Sequence, residues 1–385
     1  MAYNFRILVY IAPMIIIFSN CSEKAIETSI DNQQLIITDS IEIDYAAKLK
    51  YVDFLVEEQV HLLADIDNTT VLEVDSVGNI RNQFQCGGRE EEQIGSLISA
   101  IGYIDNNTIG IVSERGIFFF QRNGNLKKVI KAPVKFPSPV YQYLFPYQDE
   151  KVNYLIYSCD PFYDYTEKFF SPGDENFYLE YKALTLYDLK SDKKEFIIGF
   201  EQESLFMQNQ KQPYMDIYNN FLVEDNYLYV LHNPDPNIYV YDISRKFSYL
   251  RKILISPENY DRIPDKKDID MYRTIAINSK FNGLLKDENH LIVTYSSGIP
   301  EDIYPKSKLG LNKINELTAQ YDRLYVSIYE EGGEKITEDI KAPYEIASLN
   351  KRIAPKTFIA TPHGGRIEKM GKALFYIVQL NKLDS

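Results

Sequence analysis

Chemistry in a protein chain usually shows itself in the spacing of histidine, cysteine and carboxylate, and this chain of 385 residues spaces them poorly. Its four histidines, His61, His232, His290 and His363, are scattered, and none falls in a His-x-x-x-His or comparable arrangement. A metal site needs clustered His, Cys, Asp or Glu, so no metal and no cofactor are expected. A Gly-x-Ser-x-Gly elbow is absent, as is a phosphate-cradling Gly-Lys-Ser/Thr loop. Cys86-Gly87-Gly88-Arg89 offers a thiol, but no base stands beside it to activate a nucleophile. Asp65-x-Asp67-x-Thr69 holds part of a calcium loop without the glycine at its sharp turn, and reads as a hairpin turn. Glu90-Glu91-Glu92 and the group Asp265, Asp268 and Asp270 read as solvated surface. One stretch is more suggestive. Asp160, Tyr163, Asp164, Tyr165 and Phe169 combine acids and aromatic rings in a long insertion, where rings can stack on a sugar or grip a peptide. The competing reading is an aromatic cap packed onto its own strands, and the absence of Trp weighs against sugar. His363 joins this candidate set, because the Gly364-Gly365 turn after it lets a ligand approach the backbone. Catalytic residues as such are not identified.

The elements that position these residues begin with an export signal. Arg6 is followed by an apolar run, Ile7 to Phe18, and then by Ser19-Asn20-Cys21. That is the charged start, greasy core and small-residue exit of a secretory signal. The run is too short for the roughly 20 residues of a permanent membrane helix. Phe18-Ser19-Asn20-Cys21 resembles a bacterial lipobox. The resemblance implies cleavage after Asn20 and a lipid on the Cys21 sulfur that holds the mature chain to a membrane of the cell envelope. Residues 1–20 are then the signal peptide, 21–34 a polar tether, and 35–385 the folded domain. Cys86 and Cys159 remain, as two buried thiols or as a bridge that an exported compartment would permit. The net charge of −13 sets the chain against phosphate backbones, so nucleic acid is not an expected partner.

The body carries 31 Tyr and 21 Phe, residues that favour strands. One unit recurs along it: apolar alternating runs separated by polar turns. Runs around Leu72, Phe118, Leu184, Tyr239 and Tyr325 mark the middles of five such units, with turns such as Asn123-Gly124 and Gly332-Gly333. Recurrence at roughly 40 to 50 residues points to an all-β propeller. Strands at Leu35–Ile37 and Ile41–Asp44, with a C-terminal strand at 372–380, supply a sixth blade built from both termini, which closes the ring and protects its edges. Short helices are expected at 268–277 and 311–321. The alternative architecture is a pair of two-sheet sandwiches.

The lipobox, the tether, the Ile41-Glu42-Ile43-Asp44 strand and hairpin units followed by Ala132-Pro133 and Ala342-Pro343 resemble the uncharacterised six-bladed propeller lipoproteins of Bacteroidetes. The resemblance implies a fold and a compartment, and no activity. The function expected is a binding or scaffold module, tethered through Cys21, for an envelope protein, a glycan or a small ligand. The rival is an exported hydrolase or lyase acting on glycans or peptides with Asp160 or Asp164 as general acid or base. A purely structural envelope role is a third reading.

Overall fold

The computed structural model describes residues 33–131, 142–148, 153–158, 176–210, 214, 217–261, 271–305, 309–363 and 371–382. All of them belong to one compact unit, Asp31–Ser385. Strand β1 (Gln33–Ile43) comes first in the chain but belongs to the last blade. Blade I is β2 (Leu49–Leu55), β3 (Val60–Asp65), β4 (Thr70–Asp75) and β5 (Ile80–Gln85). Blade II is β6 (Ile98–Asp105), β7 (Thr108–Ser113), β8 (Gly116–Gln121) and β9 (Leu126–Ile130). A two-residue strand, β10 (Gln142–Tyr143), lies parallel to β6 on its inner edge. Blade III is β11 (Phe145–Gln148), β12 (Asn153–Ser158), β13 (Leu184–Asp188) and β14 (Lys193–Ile197), and helix α1 (Phe177–Glu180) precedes β13. Helix α2 (Leu205–Gln208) leads into blade IV, which is β15 (Tyr218–Glu224), β16 (Tyr227–Asn233), β17 (Asn237–Asp242) and β18 (Ser248–Leu254). Helix α3 (Met271–Ile277) leads into blade V: β19 (Lys280–Asp287), β20 (His290–Ser296), β21 (Leu324–Glu330) and β22 (Ile340–Lys341), with α4 (Leu311–Tyr321) inserted before β21. Blade VI is β23 (Ile346–Ala354), β24 (Thr357–Pro362), β25 (Ala373–Lys382) and, outermost, β1.

The chain therefore forms a six-bladed β-propeller. Two middle strands of each blade are sandwiched between neighbouring blades and bury both faces, so β3 and β7 are buried along their whole length. Outer strands meet solvent on one face, and β5 alternates in consequence. Each of the six seams has its own apolar cluster. Seam I–II packs Leu62 and Phe118, II–III Phe119 and Leu155, III–IV Ile156 and Val230, and IV–V Leu231 and Phe281. Seam V–VI packs Val326 and Phe358, and VI–I packs Ile43, Phe375 and Leu63, which closes the circle. Six separate sheets rule out the sandwich alternative.

The two N-terminal strands expected at Leu35–Ile37 and Ile41–Asp44 are one strand, bent by a bulge between Ile37 and Asp39. It pairs antiparallel with β25 from Gln33–Lys382 to Ile43–Ala373. Blade VI is thus complete, three strands from the C-terminal part of the chain and one from the N-terminal part. Its inner strands, β23 and β24, were not expected from the sequence. The helix expected over 311–321 is present with those limits, and that over 268–277 is described from Met271. After β21, Tyr329 and Lys335 form a single antiparallel bridge, and the short β22 follows.

The up-and-down course of each blade sorts the connections onto two faces. One face gathers the links between first and second, and between third and fourth, strands. These are tight, as at Asp105–Thr108 and Asp75–Ile80. In the latter turn Asp75 Oδ1 accepts from the Asn79 and Val77 amides at 2.9 and 3.1 Å. Gly78 takes φ +95°, and a Cβ there would lie 1.9 Å from the Glu42 carbonyl oxygen of β1. The opposite face gathers the remaining links, which include 198–217, 255–279 and 297–323 and carry the four helices found among the described residues. It is termed the loop face below.

Candidate functional site

A cavity of about 330 Å³ lies among the innermost strands. Its wall comes from Lys50 on β2, Tyr143 on β10, Tyr218–Phe221 on β15, Asn282–Leu285 on β19 and Ser348–Asn350 on β23. These residues stand in the first part of their strands, so the cavity occupies the loop-face half of the central channel. Inner strands carry polar residues here because one edge faces the channel, and they are irregular. A bulge between Phe281 and Gly283 leaves Asn282 out of register and exposed, and β23 shifts register three times.

The wall is held rigid by hydrogen bonds across the blades. Asn220 Nδ2 donates to the Phe281 carbonyl at 2.9 Å, tying blade IV to blade V. The Tyr143 hydroxyl donates to the Asn350 carbonyl at 3.3 Å, tying blade II to blade VI across the ring. Asn350 Nδ2 donates to Thr361 Oγ1 at 2.8 Å and its Oδ1 accepts from Ser348 Oγ at 3.2 Å. Burial, and after it the charge of Asp53, pushes the Tyr143 phenol well above its ordinary range, so the hydroxyl stays protonated.

Lys50 is the charged side chain on the wall, and burial holds its ammonium down to about 8. Two ion pairs join inner strands of neighbouring blades. Lys351 Nζ lies 2.8 Å from Asp53 Oδ1, across the VI–I seam, and Arg352 Nε 2.5 Å from Asp287 Oδ1, across V–VI.

Behind the wall, Asn219 and His232 are cross-strand partners. Asn219 Nδ2 donates to the Tyr181 hydroxyl at 2.7 Å, which turns Oδ1 toward His232 Nδ1 at 2.6 Å. The imidazole therefore carries its proton on Nδ1. Its Nε2 is buried without a hydrogen-bond partner among the described residues, between the rings of Phe200 and Phe206. Complete burial pushes its pKa down to about 3. His61 is also buried, 2.8 Å from the Tyr51 hydroxyl, and is held at about 4. Both are packed neutral imidazoles.

Of the residues singled out from the sequence, Cys21, Asp160, Tyr163, Asp164, Tyr165 and Phe169 lie outside the described residues, as does Cys159. His363 lies at the V–VI seam on the loop face and is not part of the cavity wall. Its ring packs on Tyr344 at 5.8 Å, and the Arg323 guanidinium lies over the same Tyr344 ring at 4.8 Å. Burial lowers its pKa, with Asp322 opposing and Arg323 assisting. Cys86 is a free buried thiol that donates to the Thr69 carbonyl at 3.0 Å, and burial raises it to about 12. Asp65 is the cap of a turn, accepting from the Asn68 amide and side chain and from the Tyr45 hydroxyl. Among the described residues no three His, Cys, Asp or Glu gather into a metal-binding group. The cavity residues themselves were missed. Their available signal was polar side chains, Asn219-Asn220, Asn282-Gly283 and Asn350, inside otherwise apolar runs.

Fold and cavity together define a six-bladed propeller with a ligand-sized pocket in its central channel. No protein-family model matches the sequence, and no curated protein matches it. Among solved structures the chain is similar to a member of the DUF4221 family from Bacteroides vulgatus. The TM-score is 0.65 at 11% identity, over 92% of this chain and 99% of that one. It is also similar to a protein from Bacteroides fragilis thought to be exported, with a TM-score of 0.50 at 12% identity, over 93% and 97% of the two chains. Likeness at such identities shows the fold alone. No helix among the described residues is long and apolar enough to cross a membrane.

Proposed function

We propose that this chain is an exported lipoprotein, anchored through Cys21, whose propeller binds a small polar ligand in the loop-face half of its central channel. The observation that carries the binding part is the cavity itself. At about 330 Å³ it falls at the small end of ligand pockets. Its wall is fixed by hydrogen bonds between blades, so a ligand meets a preformed site rather than one that it must order. The export part rests on the run from Arg6 to Cys21, and the similarity to a Bacteroides protein thought to be exported agrees with it. The described wall carries no carboxylate or imidazole. A hydrolase or lyase built on this channel would draw its acid and base from residues outside that wall, such as Asp160 or Asp164.

Two measurements test the reading. The full-length chain in detergent, titrated calorimetrically with a panel of monosaccharides, short oligosaccharides and peptides, is expected to show saturable binding that Ser348→Trp abolishes by filling the cavity. Binding that survives Ser348→Trp places the site elsewhere. For the anchor, Cys21→Ser is expected to end incorporation of radiolabelled palmitate and to move the chain out of the membrane fraction. A variant that stays with the membrane sinks the lipoprotein assignment.

A further inference from the structure

Resting on the channel-binding reading, we infer that the ligand is an uncharged polyol of about one sugar ring, its hydroxyls held by the side-chain amides of blades IV, V and VI. Three successive blades each place an amide on the cavity wall: Asn220 on β15, Asn282 on β19 and Asn350 on β23, with Ser348 beside the last. What these groups still offer sets the ligand's chemistry. Asn220 spends Nδ2 on the Phe281 carbonyl at 2.9 Å and keeps Oδ1 as an acceptor. Asn350 uses Nδ2 on Thr361 and Oδ1 on Ser348, which leaves it one donor and one lone pair. Asn282, put out of register by the bulge, is exposed, and its amide makes no hydrogen bond among the described residues. Donors and acceptors are therefore offered together. A hydroxyl both donates and accepts, so a ring of hydroxyls meets both kinds of group at once. A carboxylate only accepts and an ammonium only donates. Either leaves part of this set unpaired in a narrow channel, and an unpaired buried polar group is costly. The described wall has no carboxylate to meet a cation, and its charged side chain, Lys50, has an interaction of its own. Phe221, Leu284 and Leu349 supply apolar surface against which the C–H face of a ring can lie. The volume, about 330 Å³, suits one ring rather than a chain.

The test titrates the full-length chain calorimetrically at pH 7, in a detergent without a sugar headgroup. The probes are D-glucose, D-galactose and D-mannose, each compared with its uronic acid and its 2-amino-2-deoxy counterpart. The expected result is that one neutral hexose binds at least about tenfold tighter than both of its charged counterparts. Asn282→Ala is expected to weaken that hexose about three- to tenfold with an unchanged thermal transition, because the exposed amide makes no hydrogen bond among the described residues. The comparison of the sugars on the wild-type chain decides the matter even if the variant does not fold. A uronic acid or an amino sugar binding as tightly as its neutral parent overturns the uncharged assignment and leaves channel binding standing. Asn282→Ala binding as tightly as the wild type overturns the role given to the amides. No binding of any hexose, while a peptide of the wider panel binds and is blocked by Ser348→Trp, overturns this inference alone. Hexose binding that survives Ser348→Trp overturns the channel reading and this inference with it.

Discussion

The two buried histidines fix how stability responds to acid. His232 in the folded chain titrates near 3 and His61 near 4, against an ordinary imidazole value of about 6.5. An imidazole depressed by folding contributes stability that is complete above 6.5. Below that pH the unfolded chain takes up a proton that the folded chain refuses, and stability falls until the folded value is reached. Each histidine then contributes a loss of about 1.4 kcal/mol per pH unit, so the urea midpoint is expected to drop steeply between pH 6.5 and 4.5. His232→Asn keeps a donor toward Asn219 Oδ1 and cannot titrate. It is expected to be less stable at pH 7 but to lose stability less steeply on acidification, by roughly the share of one imidazole. Burial also raises Asp235, which opposes the trend at lower pH, but that group is common to both chains and drops out of their difference. Equal slopes for the two chains would show that His232 is not the group responsible.

At the scale of strands, what was legible in the sequence follows from what each strand touches. Ile117-Phe118-Phe119-Phe120 is buried on both faces by neighbouring blades, and such unbroken apolar runs announce themselves. The inner strands do not. β19, Lys280-Phe281-Asn282-Gly283-Leu284-Leu285-Lys286-Asp287, is interrupted by charge, amide and bulge because it borders a polar channel, so its period is broken where the site is built. β23 is obscured in the same way by its three register shifts. The site was therefore hidden by the same irregularity that makes it: a residue turned out of the ladder loses the alternation by which a strand is recognised. The closing strand was legible because Ile41 and Ile43 are buried in the VI–I seam. Ile43 is fully buried there, and Ile43→Ala is expected to cost about 2–5 kcal/mol in urea unfolding. Leu254→Ala, on the outer strand β18 where the side chain is 64% exposed, is expected to change stability by no more than about 0.5 kcal/mol. Similar costs for both would mean that the N-terminal strand does not complete the ring.

Across the whole molecule, the closure of blade VI yields a prediction that the proposed anchor can test. β1 enters the propeller at Gln33, opposite Lys382, on the face of tight turns, and reaches the loop face at Ile43, opposite Ala373. The cavity wall stands in the loop-face half of the channel. The twelve residue-to-residue steps from Cys21 to Gln33 can span at most about 40 Å when fully extended. The prediction is that, with a lipid on Cys21, the tight-turn face is the less accessible of the two at a membrane surface. Single cysteines report on this. Val56 stands 58% exposed in the turn between β2 and β3, and Leu311 62% exposed at the start of α4 on the loop face. In a Cys159→Ser background, with Cys86 buried, Val56→Cys and Leu311→Cys are the sites to compare. For lipidated protein on vesicles, a bulky impermeant maleimide is expected to label position 311 at the rate seen in detergent and position 56 several-fold more slowly. Equal rates on the vesicle would show that the entry point of β1 does not orient the propeller. The mouth of the channel would then have no fixed relation to the membrane surface.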